Sequence, residues 1–228
     1  YGSFINIPEV EKRTFENGYR HDEVRNVLFN CSHGKCAYCE LKPEGSSLRV
    51  EHYLPKTLYP EGLLDWSNLL PSCEKCNSSK FTHDTKSNPI INPCETDPSP
   101  YFIFELFRIR PSPTAPDQDV ATRTIHVCRL NRMELVRARS RILVRLTEYI
   151  NDIDEKIMDL QQNPSNLVMK RRVLAIEESF ENIEKMAGED QHHSALIQYH
   201  LNFNLDIEQK RNFLEHCKQT HYKLFQDL

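Results

Sequence analysis

A chain of 228 residues, 39% of them hydrophobic and 27% charged, has material for one sizeable core or two small ones. Its formal charge of -4 excludes a surface coated in positive charge, so any nucleic-acid contact must come from local basic patches or from a partner. The mean hydropathy is -0.62, and no apolar run approaches the roughly 20 residues of a membrane helix.

The opening Tyr1-Gly2-Ser3-Phe4 carries no basic or apolar leader pattern and no Met, which is consistent with a missing N-terminus. Residues 1–20, with Pro8, Gly18 and scattered charges, read as mostly irregular. His21 to Asn30 predicts a short helix with Val24, Val27 and Leu28 on one face. Ser32-His33-Gly34 stops it and leads into Cys36-Ala37-Tyr38-Cys39. Leu41 to Ser47 is a loop, and Leu48 to Tyr53 a strand that Pro55 ends. Trp66 to Leu70 reads as a second short strand. Ser72 to Phe81 reads as a knuckle, Cys73-Glu74-Lys75-Cys76, turning into a helix. Most of the thirteen prolines lie between Pro71 and Pro116. That segment reads as a wrap containing one strand, Tyr101 to Ile109, in a hairpin with Arg123 to Val127. From Leu130 onward Pro164 is the only proline and Gly188 the only glycine. Leu135, Ile142, Leu146, Ile150, Ile153 and Ile157 recur at helical spacing, predicting a helix over 131–161. Asn163-Pro164-Ser165 breaks it, and further helices are expected over 166–186, 190–203 and 206–226. The fold class is therefore α+β, with a small zinc-bearing module followed by a helical bundle. Four segments are expected: 1–33, the module at 34–90, the wrap at 91–128, and the bundle at 129–228.

Eight cysteines in a chain of this length, without a secretion signal, point to cytoplasmic thiols and not to a disulfide framework. Cys36, Cys39, Cys73 and Cys76 form two CxxC pairs. Each pair offers two thiolates from one knuckle, and two knuckles complete a tetrahedral zinc site. Four thiolates leave no open position, so this zinc is structural.

Glu51-His52 is the chemically suggestive pair between the knuckles. Adjacent strand residues point to opposite faces, so a bend before Pro55 is needed to bring them together. The carboxylate would then hold a hard cation such as magnesium, and the imidazole would take a proton from water. Asn77 offers a second oxygen ligand. Lys80, one turn on, faces the same way and would meet a phosphate, as would Lys56. On residue chemistry alone a second reading stands nearly level: a non-catalytic zinc adaptor with Glu51 and His52 as a surface pair.

The strings EHYLPK, WSNLL and CEKCNSSK resemble the HNH endonuclease family, with its ββα-metal fold and paired CxxC knuckles. The resemblance implies that Glu51 binds the catalytic metal and that His52 is the general base. It also implies that Asn68 braces the hairpin and orients His52, and that Asn77 completes the metal site. Where some members carry a further His, this sequence has Phe81, with His83 nearby but out of step. GKCAYCE and INPCETDP extend the similarity to the PtuB family, the HNH component of Septu-type and some retron-linked anti-phage systems. The partner this implies is a PtuA-like ATPase, and the implied substrate is nucleic acid, DNA before RNA or transfer RNA. Finally, Arg137, Arg141 and Arg145 repeat every four residues as a stripe, read either as a phosphate track or as a solvated helix face. The acidic remainder of the bundle suits solvent or a protein partner better than nucleic acid.

Overall fold

The computed structural model describes residues 8–43, 48–163 and 165–225. The expectations for residues 1–7, for the loop at 44–47, for the breaker Pro164 and for the last helix's end at 226 lie outside them. Two compact units divide the chain, 1–136 and 137–228.

The first unit opens with two helices, α1 (Glu9–Arg20) and α2 (Asp22–Cys31). The expectation of irregular chain before residue 20 is thus corrected. Pro8 stands just outside the first turn, where its missing N–H costs no helical hydrogen bond. In α2, Asp22 and Glu23 place negative charge in the first turn, complementing the helix dipole. Tyr19 and Leu28 are buried with Leu63 and Leu69 in a small apolar cluster.

Strands β1 (Arg49–His52) and β2 (Leu69–Ser72) pair antiparallel, with Glu51 opposite Leu70 and His52 opposite Leu69. The second strand starts later than Trp66, because Trp66–Asn68 is a 3-10 turn capped by Asp65. Helix α3 (Glu74–Lys80) follows β2 directly and packs on β1. A second hairpin, β3 (Phe102–Glu105) with β4 (Arg108–Pro111), begins in the run read as one strand, Tyr101 to Ile109, and ends just beyond it. Arg123 to Val127 is not its partner. These residues lie in α4 (Gln118–Val127), which Asp117 caps by accepting the Val120 N–H at 2.9 Å. The core of this unit gathers the four knuckle cysteines with Leu70, Ile90, Ile109, Ile125, Cys128, Leu130 and Leu135.

The boundary between units falls inside α5 (Met133–Gln162). The second unit continues with α6 (Asn166–Met186), α7 (Ser194–Phe203) and α8 (Leu205–Thr220). Leu146, Ile153 and Leu160 of α5 are buried at a seven-residue spacing, as are Met169, Val173, Ile176, Phe180 and Ile183 of α6 at steps of three and four. Among the described residues, no helix is long and apolar enough to cross a membrane.

Candidate active site and metal centre

The two knuckles meet because the β1–β2 hairpin brings them together. Cys36 and Cys39 precede β1, while Cys73 caps α3 and Cys76 lies in its first turn. The Ala37 N–H donates to the Pro71 carbonyl at 2.8 Å, tying the first knuckle to the outer edge of β2. All four Sγ atoms are buried and lie within 4.8 Å of one another, and Cys39 and Cys73 stand 3.8 Å apart. A tetrahedral ion with bonds of about 2.3 Å needs ligand edges of about 3.8 Å, so the four cysteines are positioned to bind a metal.

Arg132 completes this centre. Its guanidinium donates to Cys76 Sγ at 3.3 Å, to Cys73 at 3.5 Å and to Cys39 at 3.6 Å. A divalent ion on four thiolates carries a charge of about -2, and one arginine offsets half of it. The thiols also act on one another's protons. Hydrogen bonds from Cys36, Cys39 and Cys76 hold Cys73 far below the ordinary thiol range, and the same kind of contact pushes Cys76 above it. A bound cation would replace those protons.

The same unit carries a cleft of about 760 Å³. Glu51, His52 and Asn77 line it, together with the cations Arg20, Arg25, Arg49 and Lys56. Glu51 and His52 are only 5% and 7% exposed. The surface-pair reading of the dipeptide therefore loses its premise. The chain bends at Tyr53-Leu54, immediately after β1.

The loop after β1 holds the His52 ring through Leu63, and Asn68 braces that loop. Asn68 accepts the Leu54 N–H at 2.6 Å through Oδ1 and donates through Nδ2 to the carbonyls of Leu54 at 3.2 Å and Gly62 at 3.0 Å. A Cβ on Gly62 would lie 3.1 Å from Asn68 Nδ2, so glycine permits this approach. The next carbonyl, that of Leu63, accepts from His52 Nε2 at 2.9 Å. A carbonyl has no proton to give, so Nε2 carries the ring proton and the lone pair lies on Nδ1. Tyr19 packs its ring edge-on to the imidazole, with centroids 4.7 Å apart, and Lys56 Nζ donates to the Tyr19 hydroxyl at 2.9 Å.

Lys80 is the clearest correction. Expected to meet a phosphate, it is 1% exposed. Its ammonium sits 2.7 Å from Glu51 Oε1 and donates to the His52 carbonyl at 2.8 Å. Burial pushes the Glu51 carboxyl above its ordinary range, and Lys80 pulls it partway back. Arg137, Arg141 and Arg145 are exposed along α5 in the second unit, whereas Arg139 between them is fully buried. Arg20, Arg25 and Arg49 line the cleft yet went unremarked, because isolated arginines on separate elements make no pattern in sequence.

Phe81 follows α3 and also lines the cleft. The His83 N–H donates to the Lys80 carbonyl at 2.9 Å, closing a turn in which Phe81 holds φ 48° and ψ -120°. Type II′ turns fill that position with glycine, and a bulky residue there costs on the order of 1–3 kcal/mol.

Residues 36–82 match the family model of the HNH endonuclease. Over 144 residues the chain is 35% identical to the Septu protein PtuB of Bacillus thuringiensis, an alignment covering 61% of this chain and 52% of that protein. It is 28% identical over 177 residues to the Septu protein PtuB of Bacillus mycoides (strain KBAB4), covering 61% and 59% respectively. The chain thus spans only a little over half the length of these relatives. The two knuckles, the β1–β2 hairpin and α3 all lie within the segment that matches the HNH endonuclease model, in a chain similar to PtuB.

Proposed function

We propose that this chain is a metal-dependent endonuclease that hydrolyses nucleic-acid phosphodiester bonds, with His52 as its general base. The single observation that carries this reading is the setting of His52. It lies in the wall of a cationic cleft within an HNH domain, and its Nε2 proton is committed to Leu63. Nδ1 is then the atom that accepts a proton from water as the water attacks phosphorus. Asn68 is a positioning residue, acting through Gly62 and Leu63. The Glu51 carboxylate and the Asn77 amide oxygen would hold a divalent cation. Such all-oxygen sets suit magnesium, which keeps several waters and takes substrate phosphate oxygens. When bound, that ion supplies Lewis-acid stabilisation of charge on the phosphate and the leaving oxygen. Lys80 keeps Glu51 anchored, and zinc fills the four-cysteine centre as a structural ion. By similarity to the Septu proteins the chain serves as the nuclease component of an anti-phage complex with a PtuA-like ATPase, acting on DNA before RNA.

His52→Ala tests this reading. With magnesium present, the variant is expected to lose cleavage of plasmid DNA and RNA while its zinc content and melting curve match the parent. Cys73→Ser should instead lower zinc content and melting temperature together. Cleavage by His52→Ala at the parental rate removes His52 from the chemistry.

A further inference from the structure

Phe81 has a geometry that its local fold does not require. It is 75% exposed and lines the cleft together with Asn77. It also occupies the first central position of a type II′ turn, where glycine is the unstrained choice. An exposed phenyl ring gains nothing from burial, so the fold alone would be better served by glycine. A strained residue at a candidate active site invites the question of what its side chain contacts when substrate is bound.

The neighbours of Phe81 give that contact a chemistry. Arg20, Arg25, Arg49 and Lys56 line the same cleft. Arg25 and Arg49 pair with the exposed carboxylates of Asp22 and Glu74, at 3.4 and 3.0 Å, and Arg25 also lies over the Phe29 ring, 5.6 Å from its centroid. Exposed pairs of this kind are weak and exchange readily for phosphate. A groove of backbone-binding cations with an aromatic ring at its edge is the pattern of single-stranded nucleic-acid binding, in which the base stacks on the ring. Resting on the nuclease reading above, we propose that Phe81 is a base-stacking residue. The substrate then enters with at least one unstacked nucleotide, its base on Phe81 and its phosphates toward the arginines. The preferred substrate is a single strand or a distorted duplex, and intact duplex binds less well.

Phe81→Gly separates this role from a structural one. Binding is measured by fluorescence anisotropy in full-length His52→Ala protein, so that no probe is cut. The probes are a single-stranded oligonucleotide, the same strand with one abasic site stepped along it, and its duplex. Phe81→Gly should melt at the same or a higher temperature, because strain is relieved. It should bind the single strand about tenfold more weakly, an effect in the range of one lost base–aromatic stack. Phe81→Leu should lose affinity similarly, and Phe81→Trp should retain it. The penalty should vanish for the probe lacking the stacked base. Unchanged single-strand affinity in Phe81→Gly overturns the proposal, as does an equal loss for every abasic probe. A protein partner on Phe81 would give the first of these results. Hydrolysis of bis(p-nitrophenyl) phosphate by protein with His52 intact reports separately on the nuclease reading. Absence of that activity with normal oligonucleotide binding counts against catalysis and leaves stacking standing.

Discussion

Glu51 and Lys80 form the pair on which the site's chemistry and its stability meet. Both side chains are almost wholly buried and 2.7 Å apart. Removing one partner of such a pair leaves the other's charge without compensation, at a cost of about 3–5 kcal/mol, whereas replacing both is often neutral. Lys80→Met should therefore lower stability by about 3 kcal/mol in urea melts at neutral pH, because it leaves the buried Glu51 carboxylate without its cation, and adding Glu51→Gln should restore most of it. The double variant should fail to cleave, since it lacks the carboxylate. A Lys80→Met variant as stable as its parent would show that Glu51 does not depend on Lys80. The pH dependence has a definite sign. The Glu51 pKa is raised by burial and only partly restored by Lys80, so the folded state holds this proton more tightly than the unfolded chain. Ionising Glu51 thus costs stability as pH rises through the raised value. Magnesium affinity should fall as pH drops through the same value, because proton and cation compete for one carboxylate.

At the scale of elements, legibility followed the type of signal. The bounds of α6 matched expectation because Met169, Val173, Ile176 and Phe180 repeat on one buried face and Ser165 caps the helix, accepting the Val168 N–H. The knuckles and, to within a residue at each end, β1 were also legible, since CxxC spacing and the Pro55 stop after a short mixed run are local signals. Helix α4 was misread because Arg123 to Val127 alternates like a strand. The deciding facts are the Asp117 cap and the Thr124 hydroxyl, which accepts the Ile91 N–H at 2.8 Å across 33 positions. The hairpin of β3 and β4 was hidden because its turn uses Leu106 at φ 54° in place of glycine. Lys80 was misplaced because helical spacing gives a direction and says nothing of depth. The loop between β1 and β2 is the element on which the proposed chemistry depends, and Asn68 spans it with three hydrogen bonds to Leu54 and Gly62. Asn68→Ala should leave zinc bound while His52 loses its fixed orientation. Misplacing a reacting group by about 1 Å can cost on the order of 100-fold in rate. The expected loss is in kcat, with KM little changed. A variant that binds zinc and retains parental kcat would show that Leu63 orients His52 without help from Asn68.

Across the whole molecule, charge and function are unevenly distributed. The net charge is -4, yet four cations line one cleft of the first unit. The second unit carries the exposed apolar side chains Leu167, Phe203 and Leu205, which are 80%, 69% and 69% exposed, respectively. Exposed large apolar groups on a helical unit without its own chemistry are suited to a protein partner, through an amphipathic helix face meeting an apolar groove. The proposed partner is the ATPase. A cut after Asn163, at the break between α5 and α6, would strip α6 from the buried face of α5 formed by Leu146, Ile153 and Leu160. The unit boundary after Val136 is the better place to divide the chain, because Leu135 belongs to the first unit's core and compact units tend to fold alone. A chain ending at Val136 should bind zinc and hydrolyse bis(p-nitrophenyl) phosphate with magnesium at close to the parental rate. It should no longer co-purify with the PtuA-like ATPase when the two are expressed together. Zinc content and a cooperative melt establish first that the shortened chain is folded. Unchanged co-purification of a folded, zinc-loaded fragment would then assign the ATPase interface to residues before Arg137, leaving the exposed apolar groups of the second unit without that role.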